Sequence, residues 1–460
     1  MRKKIYFILY LAASGISAQN LPNHLRDFGV DVAESKIHAP EDNIEYSNKE
    51  EISLSAEEAI EYALIQKDYE FLEQYLPMYR QQANADVILA DFAQAAMLRQ
   101  QFYPHSALPF YEKILALRPD YDFVRLAYAQ ALFEDRQYDL ARTEILKINQ
   151  SLLSENSRIL LEKYLQEIDK FYRNQYRFEA SIEKNDNINH AGKHENIVVQ
   201  GLVLSKNPKS LPQSDTGMQL SADIHRLFPI YGAHHFQLGA NLNALAYADS
   251  KDYNEYKSRI FAGYRYQTLR HQWDVKPYIG KNWLGSDDYN KELGMNVEYK
   301  YRFHPNWQAR FGAGISHEKY DELSHLNANK YHANAMLLNQ QSNYYLYGGI
   351  AANRRHTQSE QERETQASLF TGGQYVFENS FGIQADWQVV SRKFDQANTF
   401  YPDAREDIEH RARLGVFSPH FSWQGITPIL NYQYVNTDSN LSELYDKTNS
   451  RVYFSIFKDF

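Results

Sequence analysis

Three places in this chain carry side chains whose type and spacing could do chemistry. The first is Asn185-Asp186-Asn187-Ile188-Asn189, where amide and carboxylate oxygens recur as they do in a calcium loop. The glycine and the closing glutamate of an EF-hand are missing, so the run reads as a polar turn at a strand end. The second is His234-His235, beside a turn. No His-Glu-x-x-His spacing occurs among the 16 histidines, and no metal site is expected. The third is Ser316-His317, types that could serve as nucleophile and base. Neighbours on a strand point to opposite faces, so the two cannot work as a couple. Neither a phosphate-cradling Walker A motif nor a Gly-x-Ser-x-Gly elbow is present. No catalytic, cofactor-binding or metal-ligating residue is assigned, and the chain is not expected to be an enzyme.

The elements around these residues say more. Between Lys291 and Lys319 the side chains alternate. Leu293, Met295, Val297, Tyr299, Tyr301 and Phe303 point one way, and Glu292, Gly294, Asn296, Glu298, Lys300 and Arg302 the other. His304-Pro305-Asn306 turns the chain, and Trp307, Ala309, Phe311, Ala313 and Ile315 resume the pattern. Period-2 alternation over more than ten residues means a long strand. With aromatics at the ends and one charged or glycine-rich face, it is the pattern of a transmembrane β-barrel. The pattern recurs through the C-terminal half, which sets aside a soluble sandwich. The inward residues Arg259, Arg265, Glu298, Lys300, Arg302 and Arg310 carry mixed charge, as the wall of a polar lumen does.

Composition agrees. The 460 residues carry a net charge of −9, which suggests no nucleic-acid partner. Hydrophobic residues make up 43% and no apolar run after the N-terminus approaches 18 residues, which excludes a helical membrane protein but not a barrel. Aromatics reach 14%, with 36 tyrosines, a residue suited to a membrane interface. There is no cysteine, hence no disulfide, no cysteine-based zinc site and no lipid-anchored N-terminus.

In chain order, residues 1–18 read as a signal peptide: Arg2, Lys3 and Lys4, then the apolar Ile5–Ala13, then Ser17-Ala18 as the cleavage site. Residues 19–54 are acidic and aperiodic, which predicts a disordered segment. Ser55-Ala56-Glu57-Glu58 is a capping box that opens a helical domain over 55–174. Within it a spacing of 34 relates Ala95 to Ala129, Leu98 to Leu132, Ala107 to Ala141, Tyr111 to Ile145 and Ile114 to Ile148. With Pro119 closing the first unit, this is the order of a tetratricopeptide (TPR) repeat. The expected core is Ala95, Leu98, Ala107, Tyr111, Pro119, Ala129, Leu132 and Ala141. A looser unit covers Ile60–Arg80, and a longer helix over Ser154–Arg173 caps the stack.

From Gln175 the chain reads as strands: 175–186, 217–228, 234–247, 256–267, 271–284, 291–303, 307–319, 328–338, 343–355, 363–377, 381–393, 408–419, 427–437 and 449–460. Short connections flanked by Phe228, Phe236, Trp273, Phe303, Trp307, Phe377 and Phe381 alternate with longer polar ones, among them Gly285–Asn290. That alternation predicts a 14-stranded antiparallel barrel over 175–460 behind an all-α domain, an α+β chain, with the short turns periplasmic. Ile197–Leu204 also has strand character and falls in the first outer loop on this count; were it to span, the count would be 16.

This order of domains resembles the surface lipoprotein assembly modulator (Slam) family. The resemblance is carried by Asn185–Asn189, Asp215–Tyr247, Tyr264-Arg265-Tyr266-Gln267, Trp273 to Pro277, Trp283-Leu284-Gly285 and the C-terminal Arg451 to Phe460. It implies an outer-membrane translocon that moves lipoproteins or related secreted proteins to the cell surface, often for iron or haem capture, with the TPR domain engaging cargo. The partners it implies are the cargo, the barrel-insertion machinery, periplasmic chaperones and outer-membrane lipids. The last strand, with Val452, Phe454, Ile456 and Phe460 on one face, is the expected assembly signal. The alternative is an exopolysaccharide export porin, which also joins TPR repeats to a barrel but tends to carry many more of them. A passive diffusion porin would need no TPR domain.

Overall fold

The protein is described here from a computed structural model, which covers residues 55–149, 155–199, 202–378, 381–397 and 401–459. The expected signal peptide, the acidic segment 19–54 and Phe460 lie outside these residues.

Ser55 caps the first helix, α1 (Ala56–Gln66). Its hydroxyl accepts from the Glu58 amide at 3.2 Å, and the Glu58 carboxylate accepts from the Ser55 amide at 2.8 Å. The expected box is therefore complete, satisfying two of the N–H groups that a helix start leaves without partners. Six further helices follow among the described residues of the N-terminal domain: α2 (Tyr69–Tyr79), α3 (Val87–Gln100), α4 (Pro104–Leu117), α5 (Asp122–Glu134), α6 (Tyr138–Lys147) and α7 (Glu155–Phe171). The 34-residue spacing places equivalent side chains on successive helix pairs. Ala95, Ala107, Ala129 and Ala141 are fully buried, as is Tyr111, and Leu132 is 1% exposed. Small residues at these contacts let the paired helices approach closely, and Tyr111 fills the space between Phe92 and Tyr128. Leu98 packs partly buried against the same cluster. Pro119 is exposed: it follows the end of α4 and serves the turn rather than the core. The core continues into α7 through Leu160, Leu161, Tyr164 and Ile168.

Two residues beyond Tyr172 and Arg173 the chain enters β1 (Gln175–Asn185), and the first far-end loop carries a separate hairpin, β2 (Asn196–Val199) and β3 (Leu202–Ser205). The barrel continues with β4 (Asp215–Tyr231), β5 (His234–Tyr247), β6 (Glu255–Gln267), β7 (His271–Leu284), β8 (Asp287–His304), β9 (Trp307–Tyr320) and β10 (Ala328–Gln340). It ends with β11 (Tyr344–Thr357), β12 (Glu364–Val376), β13 (Gly382–Ala397), β14 (Ala404–Phe417), β15 (Ile429–Ser439) and β16 (Lys447–Asp459). These fourteen strands form one closed antiparallel barrel in which β16 pairs with β1. The hairpin β2–β3 stays outside it, so the count of 14 holds and Ile197–Leu204 belongs to the loop.

Closure is what makes such long strands tenable in lipid, because it leaves no edge with unpaired backbone groups. The shortest barrel strands have 11 residues; tilted by ~40° they rise about 29 Å, close to a hydrocarbon core. Leu220, Leu242, Ile260, Ile279, Leu293, Phe311, Ile350 and Leu414 face outward in an apolar belt. Gln237, Asp274, Glu298, Lys300, Arg310 and Asp386 face inward and are buried. Inward Gly294 and Gly372 leave room for the side chains of Tyr278 and Tyr347, whose hydroxyls an added Cβ would meet at 2.5 Å. Trp273, Phe303, Trp307, Phe377 and Phe381 stand outward at the end nearest the helices, with Phe377 and Phe381 stacked at 4.6 Å. The expected girdle is thus in place.

Two connections differ from expectation. Gly285–Asn290 is not a long loop: β7 and β8 extend until only Gly285 and Ser286 join them, with Gly285 at φ +61°. Glycine adopts that left-handed conformation without a Cβ penalty, and a polar strand end looks like a loop in sequence. Conversely, the connection 418–428 between β14 and β15 is long although it lies at the near end.

Candidate functional site

The helical domain sits against the near end of the barrel. Asp139 of α6 accepts from the Gly232 amide at 2.9 Å, in the turn between β4 and β5. Gly232 has φ +56°, and a Cβ there would lie 2.9 Å from the Gln137 side chain. At the end of α7, Tyr172 bonds His235 at 3.2 Å and the Phe171 ring meets it edge-on. His235 is fully buried. The pair His234-His235 therefore splits as strand geometry requires: His234 outward against Tyr264, His235 inward under the helices.

A second contact forms at the turn between β6 and β7. Arg270 stacks over Tyr103 at 4.2 Å, and Asp135 accepts from the Leu269 amide at 3.4 Å. Asp135 also accepts from Gln137 at 2.8 Å and meets His105 Nδ1 at 2.7 Å. The hydrogen bond to Asp135 raises the His105 pKa above its ordinary value, more than burial lowers it. A raised folded value means that this contact stabilises most below the ordinary imidazole pKa and is lost as pH rises through the folded one. The thermal midpoint of the helical domain should therefore fall as pH rises past the ordinary imidazole pKa of about 6.5, and His105→Gln should flatten that fall. Equal slopes for the two proteins, followed by circular dichroism, would refute the role of His105.

Inside the barrel the charges are paired from strand to strand, to the adjacent strand or, for Arg259 of β6 and Glu292 of β8, across one strand. Arg265 meets Asp274 at 2.7 Å, Lys276 meets Glu298 at 2.7 Å, and Arg259 meets Glu292 at 3.2 Å. Arg413 binds Asp386, which also accepts from Tyr347. The lumen retains a cavity of about 750 Å³, bordered by Asn296, Asn334, Arg411, Arg413 and Arg451. His190, in the first far-end loop, also borders it. That loop is tied down by its asparagines. Asn187 donates to the Ala191 and Thr448 carbonyls at 2.9 Å each, and Asn189 donates to Leu211. The Asn185–Asn189 run thus holds backbone at a strand-end turn.

The closure seam pairs Arg177–Asn185 of β1 with Arg451–Asp459 of β16. Side chains fasten it at three heights: Arg177 to Asp459 at 2.6 Å, Arg451 to Glu183 at 3.0 Å, and Asp186 accepting from the Ser450 amide at 2.6 Å. Val452, Phe454 and Ile456 lie on the outward face of β16, opposite Lys184, Ile182 and Ala180. The sequence singled out the last strand and, of the residues at the helix–barrel contact, only His235, as one of a histidine pair beside a turn. Asp135, Asp139, Tyr172, His235 and Arg270 sit at no motif spacing, and only the docking of two distant segments unites them. Ser316 and His317 point apart, with Ser316 buried on the lumen side and His317 bonding Asn329.

Comparison with known proteins follows this architecture. The model of the surface lipoprotein assembly modifier family matches residues 175–460, and that of its N-terminal TPR repeats matches residues 47–145. Surface lipoprotein assembly modifier 1 of Haemophilus influenzae is 24% identical over 409 residues, covering 86% of this chain and 83% of that one. A hemophilin secretion modulator of Acinetobacter baumannii is 22% identical, covering 86% and 84%. Among solved structures, the outer membrane channel DcaP of Acinetobacter baumannii gives a TM-score of 0.37 at 10% identity, covering 62% of this chain and 96% of that one. The repeats, the fourteen strands and a match over the whole barrel make this chain a member of the surface lipoprotein assembly modifier family, an outer-membrane protein.

Proposed function

We propose that this protein exports a surface lipoprotein, or a related secreted protein of the haem-capture kind, across the outer membrane. The observation that carries the reading is a TPR domain docked on one end of a closed 14-stranded barrel of this family. The helical end faces the periplasm, residues 55–174 engage cargo on a curved helical surface, and residues 175–460 form the passage. Periplasmic chaperones and the barrel-insertion machinery are the further partners. The lumen is lined by ion pairs and narrowed by the first outer loop, so it suits no folded domain. Cargo leaves unfolded or partly folded through an opened seam between β1 and β16, whose edges can template a cargo strand. Folding outside, worth about 5–15 kcal/mol for a domain, makes the step directional without ATP.

The test is co-expression in a heterologous Gram-negative host with the lipoprotein or small secreted protein encoded beside this gene. Protease shaving of intact cells should remove the cargo only when the full chain is present. A chain lacking residues 19–172 should insert as a heat-modifiable barrel, since each strand pairs only with its neighbours, yet export much less. Cargo that reaches the surface equally well without the protein would overturn the reading; full export by the barrel alone would overturn the division of labour.

A further inference from the structure

Across the closure seam and the strands that follow it the outer wall of the barrel is dented. Two rows of outward side chains run across the strands there, from β16 to β7. One is Ile456, Ala180, Leu220, Ala244, Tyr256 and Trp283; in the other, Phe178, Ala222, Leu242 and Ser258 follow Lys458. From β1 to β6 small and large residues alternate in each row, and the two rows are offset. The small ones leave a furrow of about 720 Å³ whose surface is almost wholly apolar. Five strand spacings make it about 24 Å long.

The furrow is closed at its periplasmic end by Ile426, from the long connection 418–428. That connection folds into a small hairpin in which Trp423 and Ile426 exchange backbone hydrogen bonds at 2.9 Å. Gln424 and Gly425, both at positive φ, form its tip. Phe421 and Trp423 remain 73% and 67% exposed. In water such rings would be a liability, but here they continue the lipid-facing belt at the level where aromatic girdles sit. Lys458 borders the same end, and a lysine on a lipid-facing strand extends its ammonium to the headgroup region.

We propose that this furrow is a binding site for one phospholipid of the periplasmic leaflet, its acyl chain between Leu220, Leu242 and Ile456 and its phosphate toward Lys458. In hydrocarbon no hydrophobic effect separates furrow from tail, so packing decides the occupant. A dent without partner atoms forfeits dispersion contacts, and a single flexible chain between branched side chains restores them. The phosphate suits the cationic end, and the Trp423 hairpin closes the furrow beside the one seam the barrel has between its first and last strands. The site is independent of the export reading.

The purified full-length protein, reconstituted with phosphatidylglycerol carrying a photoreactive acyl chain, tests it. Adducts should concentrate on the peptides holding Ala180, Ala222 and Ala244. Filling the furrow with Ala222→Trp or Ala244→Trp should reduce them to the level of the opposite wall, while Ala333→Trp on that wall leaves them unchanged. Heat-modifiability checks that each variant is folded, and the adduct distribution of the unaltered protein needs no variant. Labelling spread evenly around the belt, or unchanged by both furrow variants, would overturn the site. Displacement of the label by an equimolar triacylated lipopeptide would overturn the phospholipid as occupant and give the furrow to a lipoprotein anchor.

Discussion

Joining β1 to β16 through Ser181→Cys and Ser455→Cys is expected to stop export, and reduction to restore it. The two serines are direct partners across the seam and both face the lumen, 6% and 3% exposed. Opposite residues of an antiparallel pair stand about 4.5–5.5 Å apart at Cα, within the span of a disulfide. The chain has no other cysteine, so one bond is possible and the oxidising periplasm should form it. Neither serine lies on the lipid face, so lipid contacts of the barrel are undisturbed. Surface cargo should fall to the level of cells lacking the protein, although the barrel is still present and heat-modifiable. The single variants should export normally. Unimpaired export by the oxidised double variant would rule out the seam and leave the lumen as the route.

Deleting Arg451–Phe460 should leave no assembled barrel. β16 pairs with β1 on one side and with Ile429–Thr437 of β15 on the other, so the deletion strands backbone groups on two edges at once. Each buried N–H or C=O without a partner in hydrocarbon costs several kcal/mol, and a handful of them exceeds the roughly 5–15 kcal/mol that holds a domain together. The deletion also removes Val452, Phe454 and Ile456, the outward face that we propose the insertion machinery reads. The truncated chain should show no heat-modifiable band and be degraded in the periplasm. A truncated chain that still migrates as a folded barrel would count against both roles of the strand.

The inward charges are legible in sequence only as a class. Alternation puts Arg265, Glu298 and Arg310 on the lumen face, because period 2 is a local property of the backbone. Which cation meets which anion depends on register. Arg265 faces Asp274 because the ladder between β6 and β7 sets Gln267 opposite Gln272, a register that the three-residue turn read from sequence does not by itself assign. The same limit explains Gly285–Asn290, where a charged strand end was read as loop, and 418–428, where a near-end connection proved long.

Sequence by itself determined the helical repeats, the strands and their even number. Each rests on short-range physics: small residues at a spacing of 34, a capping box, and side chains that alternate because lipid lies on one side and water on the other. Tertiary structure alone decided three things. Asp135, Asp139 and Tyr172 hold the helices under the barrel, the Asn187 turn is stitched to β16, and a furrow opens across the seam under the Trp423 hairpin. Each joins segments far apart in the chain, the Asn187 turn and β16 by more than 250 residues. Such contacts depend on how the sheet closes and twists, which no local pattern encodes.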